Sequence, residues 1–130
     1  MRYLLDTHTL LWFLQDDPQL PKKVSSEITN TDNTCYVSIA SLWEIAIKIN
    51  LGKLSVKFPF VKFASYLGDN DIEVLQIGFD HLIQVATLDL HHRDPFDRII
   101  IAQGLVENLT IITKDENFPS YTDRILWKYY

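Results

Sequence analysis

Cysteine is nearly absent from this 130-residue chain, and the single Cys35 leaves no partner for an intramolecular disulfide. Its setting, Thr34-Cys35-Tyr36-Val37, is apolar, so a buried and inert thiol in a reducing compartment is expected. Glycine is also scarce, at 4 residues, which gives a phosphate-cradling loop little to build on. There is no Gly-x-Ser-x-Gly elbow and no Cys/His pair arranged for nucleophilic attack. Long apolar runs are missing too: Asp6 and His8 interrupt the stretch from Tyr3 to Leu14, so neither a signal peptide nor a membrane span is expected. Positive charge is in deficit, 12 basic against 17 acidic residues for a net −5, which argues against loose electrostatic binding to duplex DNA.

What the chain does contain is ample core material, 47% hydrophobic and 12% aromatic, enough for one domain over residues 1–130 without staples. Arg2-Tyr3-Leu4-Leu5 reads as a central strand ended by Asp6-Thr7, and a helix follows through Leu10, Leu11 and Leu14. Leu20, Val24 and Ile28 mark a second amphipathic helix, and Cys35-Tyr36-Val37 a second strand. Ser38 to Asn50 is the next helix, with Leu42, Ile45, Ala46 and Ile49 on one face and Ser41, Glu44 and Lys48 on the other. Pro59 to Leu67 is a helix burying Phe60, Phe63, Ala64 and Leu67. Ile72 to Ile77 is a strand, Phe79 to Leu88 a helix, Asp94 to Glu107 a helix, and Thr110 to Thr113 a buried strand. The tail, Arg124 to Tyr130, supplies a final edge strand through Ile125, Leu126 and Trp127. This alternation specifies an α/β/α sandwich around a mainly parallel sheet.

Four acids, Asp6, Glu44, Asp97 and Asp115, stand where an apolar run gives way to a turn or a helix start. In a parallel sheet the carboxyl ends of the strands share one edge, so these residues converge on a single crevice if the topology is right. With them and Asp94 set aside, the remaining charge balances at 12 against 12. Each acid also has a local explanation. Asp6 can cap the following helix, although a carboxylate ending a buried strand is costly unless paired or metal-bound. Ser41-x-x-Glu44 matches a capping box, and Glu44 with Lys48 is a favourable i, i+4 pair. Asp94-Pro95-Phe96-Asp97 is a good helix opening, with Asp94 as N-cap. Asp115 sits in an ordinary turn. His91-His92 lacks zinc-site spacing and reads as a solvated loop. Trp12, Trp43 and Trp127 read as core or interface residues.

Four blocks taken together resemble the PIN domain, and within it the VapC-like toxin ribonucleases of toxin–antitoxin pairs. They are Leu4-Leu5-Asp6-Thr7-His8-Thr9-Leu10-Leu11-Trp12; Ser41-Leu42-Trp43-Glu44-Ile45-Ala46-Ile47-Lys48 with Gly52-Lys53-Leu54; His92-Arg93-Asp94-Pro95-Phe96-Asp97-Arg98; and Ile111-Ile112-Thr113-Lys114-Asp115. The resemblance implies that Asp6, Glu44, Asp97 and Asp115 are the catalytic acids, with Asp6, Asp97 and Asp115 as metal ligands. It implies Thr7 and Thr113 as supporting hydroxyls and Asp94 as an auxiliary ligand or a cap. Lys48, Lys53, Arg93, Arg98 and Lys114 are candidates to receive an RNA backbone. Carboxylates without sulfur or an organised imidazole suit Mg²⁺ or Mn²⁺ rather than zinc.

A cytoplasmic RNA substrate, a cognate antitoxin and a homodimer are further implications of the resemblance. Phe58, Phe60 and Phe63 serve an interface or, by default, the core. Gly104, where this branch more usually has alanine, costs about 1 kcal/mol of helix propensity. Two other readings compete: a PIN-like fold that binds RNA or protein without catalysis, and a receiver-type signalling domain with an acidic Mg²⁺ pocket. Against the second, Asp6 is flanked by Leu5 and Thr7 rather than by another acid, and Lys128 lies beyond the last expected strand.

Overall fold

A computed structural model describes residues 1–127. Five strands, β1 (Arg2–Leu5), β2 (Thr34–Ser38), β3 (Ile72–Leu75), β4 (Thr110–Ile112) and β5 (Ile125–Leu126), form one sheet in the order β3-β2-β1-β4-β5. Every neighbouring pair is parallel. Six α-helices connect them: α1 (Thr7–Leu14), α2 (Lys22–Thr29), α3 (Ile39–Asn50), α4 (Phe63–Asp69), α5 (Phe79–Thr87) and α6 (Pro95–Glu107). The chain winds outward from β1 through β2 to β3, then returns to β1's other side for β4 and β5. The strand order therefore reverses between β1 and β4, and a crevice opens at their carboxyl ends. Leu5 lies level with Val37 on one side and Ile112 on the other, so the three central strands finish together.

Period-two alternation in β1 sends side chains to two separate cores. Tyr3 and Leu5 join Leu10, Val24, Ile28, Cys35, Val37, Ile45 and Phe63 on one face. Leu4 joins Ile100, Ile101, Leu109, Ile111 and Phe118 on the other, where α6 packs. The thiol of Cys35 is buried in the first of these cores, and burial pushes it up to about 11, so it is inert at neutral pH. No helix among the described residues is long and apolar enough to cross a membrane.

Several expectations change in detail. The segment expected as one helix from Pro59 divides into a 3-10 turn, Phe60–Lys62, and α4. The phase shift turns Phe60 (36% exposed) and Ala64 outward and leaves Phe63 and Leu67 as the buried pair. Phe58 packs on Phe63 and Tyr66. β3 stops at Leu75, short of Ile77, and the 3-10 turn Phe118–Ser120 has no counterpart in the expected elements. The edge strand of the tail is present as β5, while residues 128–130 of that expectation, including Lys128, lie outside the described residues. Trp127 is core and packs edge-on against Trp12, whereas Trp43 is 61% exposed.

Candidate metal centre

β1 ends by delivering Asp6 to the switch point, where it caps α1 by accepting the Thr9 N–H at 2.8 Å through Oδ1. Its other oxygen accepts the Thr113 hydroxyl at 2.6 Å, from the residue that follows β4. The same Thr113 Oγ1 accepts the Asp115 N–H at 3.0 Å. One buried hydroxyl thus fixes two acids from opposite ends of the chain. Asp6 is buried, and that burial raises its pKa above the ordinary carboxylate value even though Thr113 and Thr9 donate to it.

Asp97 enters from the first turn of α6. Asp94 is the cap of that helix, its Oδ1 accepting the N–H groups of Phe96 (2.9 Å) and Asp97 (3.1 Å). Burial lifts the Asp97 carboxyl to about 6, and the charges of Asp94 and Asp115 push the same way against the hydrogen bond from His92. His92 Nε2 lies 2.7 Å from Asp97 Oδ2. His92, Asp97 and Asp115 each bring a donor atom into one group, all within 4.8 Å of one another. His92 is therefore no solvated loop residue. Its neighbour His91 does face solvent, stacking edge-on against Tyr121. Nothing in local spacing marks His92, because it reaches Asp97 only by the loop folding back over the helix start.

Glu44 arrives from α3. Ser38, not Ser41, caps this helix by accepting the Ala40 N–H, so the expected capping box is not formed. Ser41 and Glu44 are buried instead against Thr7, whose hydroxyl lies 3.0 Å from Ser41 Oγ and donates to Glu44 Oε1 at 2.8 Å. Ser41 and Glu44 on the polar face of α3 are thus turned inward, against the start of α1. Glu44 Oε2 pairs with Lys48 at 2.9 Å, and that hydrogen bond, chiefly, raises the lysine's pKa. The charges of Asp94 and Asp97 also act on Lys48, so α3 and the start of α6 share one electrostatic neighbourhood.

A cleft of about 550 Å³ beside these groups is lined by Asp6, His8, Trp12, Lys114 and Asp115 among others. Of the basic candidates, Lys114 borders that cleft, Lys53 is exposed beyond α3, and Arg93 is exposed beside an apolar groove containing Trp43 and Phe96. Arg98 is committed within the chain, donating to the carbonyls of Leu88, Asp89 and His92. The donor set is dominated by carboxylate oxygen, which fits a hard divalent cation. The raised pKa values of Asp6 and Asp97 say the same in another way: without a cation, negative charge here is poorly compensated.

Comparison with known proteins agrees with this geometry. The family model for the PIN domain matches residues 3–123. A curated relative, ribonuclease VapC22 of Mycobacterium tuberculosis H37Rv, is 23% identical over 121 residues, covering 91% of this chain and 90% of its own. Among solved structures, VapBC2 of Rickettsia felis bound to a promoter DNA fragment superposes with a TM-score of 0.70 at 18% identity, covering 97% of this chain and 96% of that one. A toxin–antitoxin complex from Klebsiella pneumoniae gives 0.61 at 13% identity, with 95% of each chain covered.

Proposed function

The chain belongs to the PIN-domain family, and from that premise we propose that it is a divalent-metal-dependent endoribonuclease acting as the toxin of a toxin–antitoxin pair. The observation that carries the reading is the convergence of Asp6, Asp97 and Asp115 at the β1/β4 switch point, two of them with carboxyls harder to ionise than usual. Asp97 and Asp115, with Asp6 beside them, would hold Mg²⁺ or Mn²⁺. When bound, such a cation supplies Lewis acidity toward a phosphate oxygen and toward water.

The protein's own part is placement. Thr113 locks Asp6 and Asp115 in register through a single hydroxyl. Asp94 holds the first turn of α6 so that Asp97 points into the site. Glu44, anchored at one oxygen by Thr7 and at the other by Lys48, orients the lysine ammonium toward an incoming phosphate. Lys114 and Arg93 stand on either side as further backbone contacts. Metal-assisted hydrolysis has no need of the ribose 2′-OH, so preference for RNA rests on contacts along the strand.

The Mycobacterium relative is named a ribonuclease and both structural neighbours are toxin–antitoxin assemblies, which supports an RNA substrate and an antitoxin partner for this chain. A cytoplasmic homodimer completes the proposal. Its test is cleavage of a panel of single-stranded and structured RNAs by antitoxin-free protein in Mg²⁺, Mn²⁺ or EDTA, beside Asp6→Asn and Asp97→Asn. Metal-dependent cutting lost in both variants is the expected result. Equal inertness of wild type and variants, with metal or RNA still bound, replaces the enzyme with a binding module.

A further inference from the structure

The loop between α5 and α6, residues 88–94, has no regular structure, yet it is held more firmly than its exposure suggests. The Arg98 guanidinium reaches back from α6 to the carbonyls of Leu88 (3.3 Å), Asp89 (3.0 Å) and His92 (3.0 Å). Tyr121, from the segment beyond β4, closes the loop from the other side. Its hydroxyl accepts the N–H groups of His91 (2.9 Å) and His92 (2.8 Å) and donates to the Asp89 carbonyl at 2.8 Å. Six hydrogen bonds from two side chains thus fix a stretch that brings the His92 ring to the acidic site ahead of the Asp94 cap.

We propose that His92 is a ligand of the cation together with Asp97 and Asp115, making this a mixed imidazole–carboxylate site, and that Tyr121 and Arg98 are the residues that position it. The inference rests on the metal-binding part of the function proposed above. The 2.7 Å between His92 Nε2 and Asp97 Oδ2 is close to the roughly 3 Å that separates adjacent donors on an octahedral ion with bonds of about 2.1 Å. Nε2 and Oδ2 are therefore spaced as neighbouring ligands of one ion. On loading, the ring would exchange its hydrogen bond to Asp97 for the ion and carry its proton on Nδ1, for which no partner is seen among the described residues. An imidazole nitrogen adds little for hard Mg²⁺ and more for first-row divalent ions, so the ring tilts the site toward Mn²⁺. The absence of an organised imidazole, inferred from sequence, is thereby reversed.

The test uses Mn²⁺ itself as the probe on the full chain. Electron spin-echo envelope modulation of the Mn²⁺-loaded protein is expected to show a directly coordinated ¹⁴N, which His92→Ala removes. By equilibrium titration, His92→Ala weakens Mn²⁺ binding about 10- to 100-fold and Mg²⁺ binding by a smaller factor. Tyr121→Phe keeps the ring but loses the hydroxyl, and lowers the Mn²⁺/Mg²⁺ affinity ratio in the same direction. Adding it to His92→Ala lowers that ratio no further. A merely structural loop would weaken both ions equally. Absence of Mn²⁺ binding or of a ¹⁴N signal in the wild type overturns the proposal, as does a signal that survives in His92→Ala, where His8 in the adjoining cleft becomes the candidate. If the signal behaves as expected but no RNA is cut, the nuclease reading fails and the ligand assignment stands.

Discussion

Two histidine–carboxylate clusters hang from opposite ends of α6. At its first turn, His92 meets Asp97 and Asp115; at its last, His81 meets Glu107, with Asp80 alongside. By residue type they are alike, and both have the spacing of a candidate cation site. Their backbones separate them. His81 sits in the first turn of α5, where its Nδ1 accepts the Gly78 N–H at 2.9 Å. That acceptance leaves the proton on Nε2, which donates it to Glu107 Oε2 at 3.0 Å. With both nitrogens engaged and the ring buried, His81 has no lone pair to offer a metal, and it serves as a strut between α5 and α6. His92 rides on a clamped loop at the switch-point crevice, beside Asp97, whose ionisation is impeded by burial and by the charges of Asp94 and Asp115. Backbone donors and position on the sheet are what distinguish the two clusters.

The largest expected effect separates the two directly. Asp97→Asn should lower RNA cleavage by more than about 100-fold, the loss expected when a ligand rather than its outer partner is removed, while its thermal stability in EDTA does not fall. Glu107→Gln should leave cleavage by the folded enzyme near wild type. Comparable losses of activity in both would erase the distinction.

The pH dependence of stability is next. An aspartate raised from 3.8 to about 6 binds its proton more tightly in the folded state than in the unfolded one. Its stabilisation is full below pH 4 and is lost as pH rises through about 6, a span worth at most about 3 kcal/mol. Urea denaturation in EDTA at pH 4.5 and 7.5 should show this loss in wild type relative to Asp97→Asn, and saturating Mn²⁺ should restore stability only at the higher pH. If the wild type gains stability relative to the variant on going to pH 7.5 in EDTA, the assigned burial cost is wrong.

The strut should behave oppositely. His81→Ala leaves the Gly78 N–H and a cavity unmet, costing about 2–3 kcal/mol in chemical denaturation, with no change in Mn²⁺ affinity. A variant that lost metal binding without losing stability would make His81 a ligand after all.

The smallest effect concerns the rod that joins them. Gly104→Ala would gain about 1 kcal/mol of helix propensity, but the new Cβ would stand 2.8 Å from Ile111 Cδ1 and 3.0 Å from Cγ1 on β4. That side chain can give way only partly inside a packed core. A net change within about 0.5 kcal/mol in either direction is expected by thermal unfolding, and a clear 1 kcal/mol gain would mean that the glycine has no packing role.

The glycine also marks where sequence reasoning reaches its limit. Helix propensity is a local property, and so Gly104 reads as a simple cost; its fit against Ile111 belongs to the α6–β4 interface, which no local pattern states. The parallel sheet, by contrast, was legible because β1 and β4 are short and apolar throughout, with helical periodicity between them. Asp6, Asp97 and Asp115 were legible as a set for the same reason, since strand ends in such a sheet lie on one edge. Ser41 and Glu44 were read locally as a capping box on the face of α3 opposite its apolar one, a pattern that does not state what that face meets. Here their contact with Thr7, from a different helix, turns them inward. His92 and Tyr121 were missed because loop closure leaves no periodic trace.

The bond between Asp6 and Thr113 spans 107 residues, and the central strand β1 is made well before β4. On the ribosome, β1 can pair with β2 early, but it has no neighbour on its other side until β4 has emerged. The acidic crevice therefore forms only after β4 has been made. An incomplete chain carries Asp6 yet lacks the hydroxyl that orients it and the carboxylates that complete the site. Any chemistry that needs these groups together is in this way withheld, by topology, until synthesis has passed Asp115.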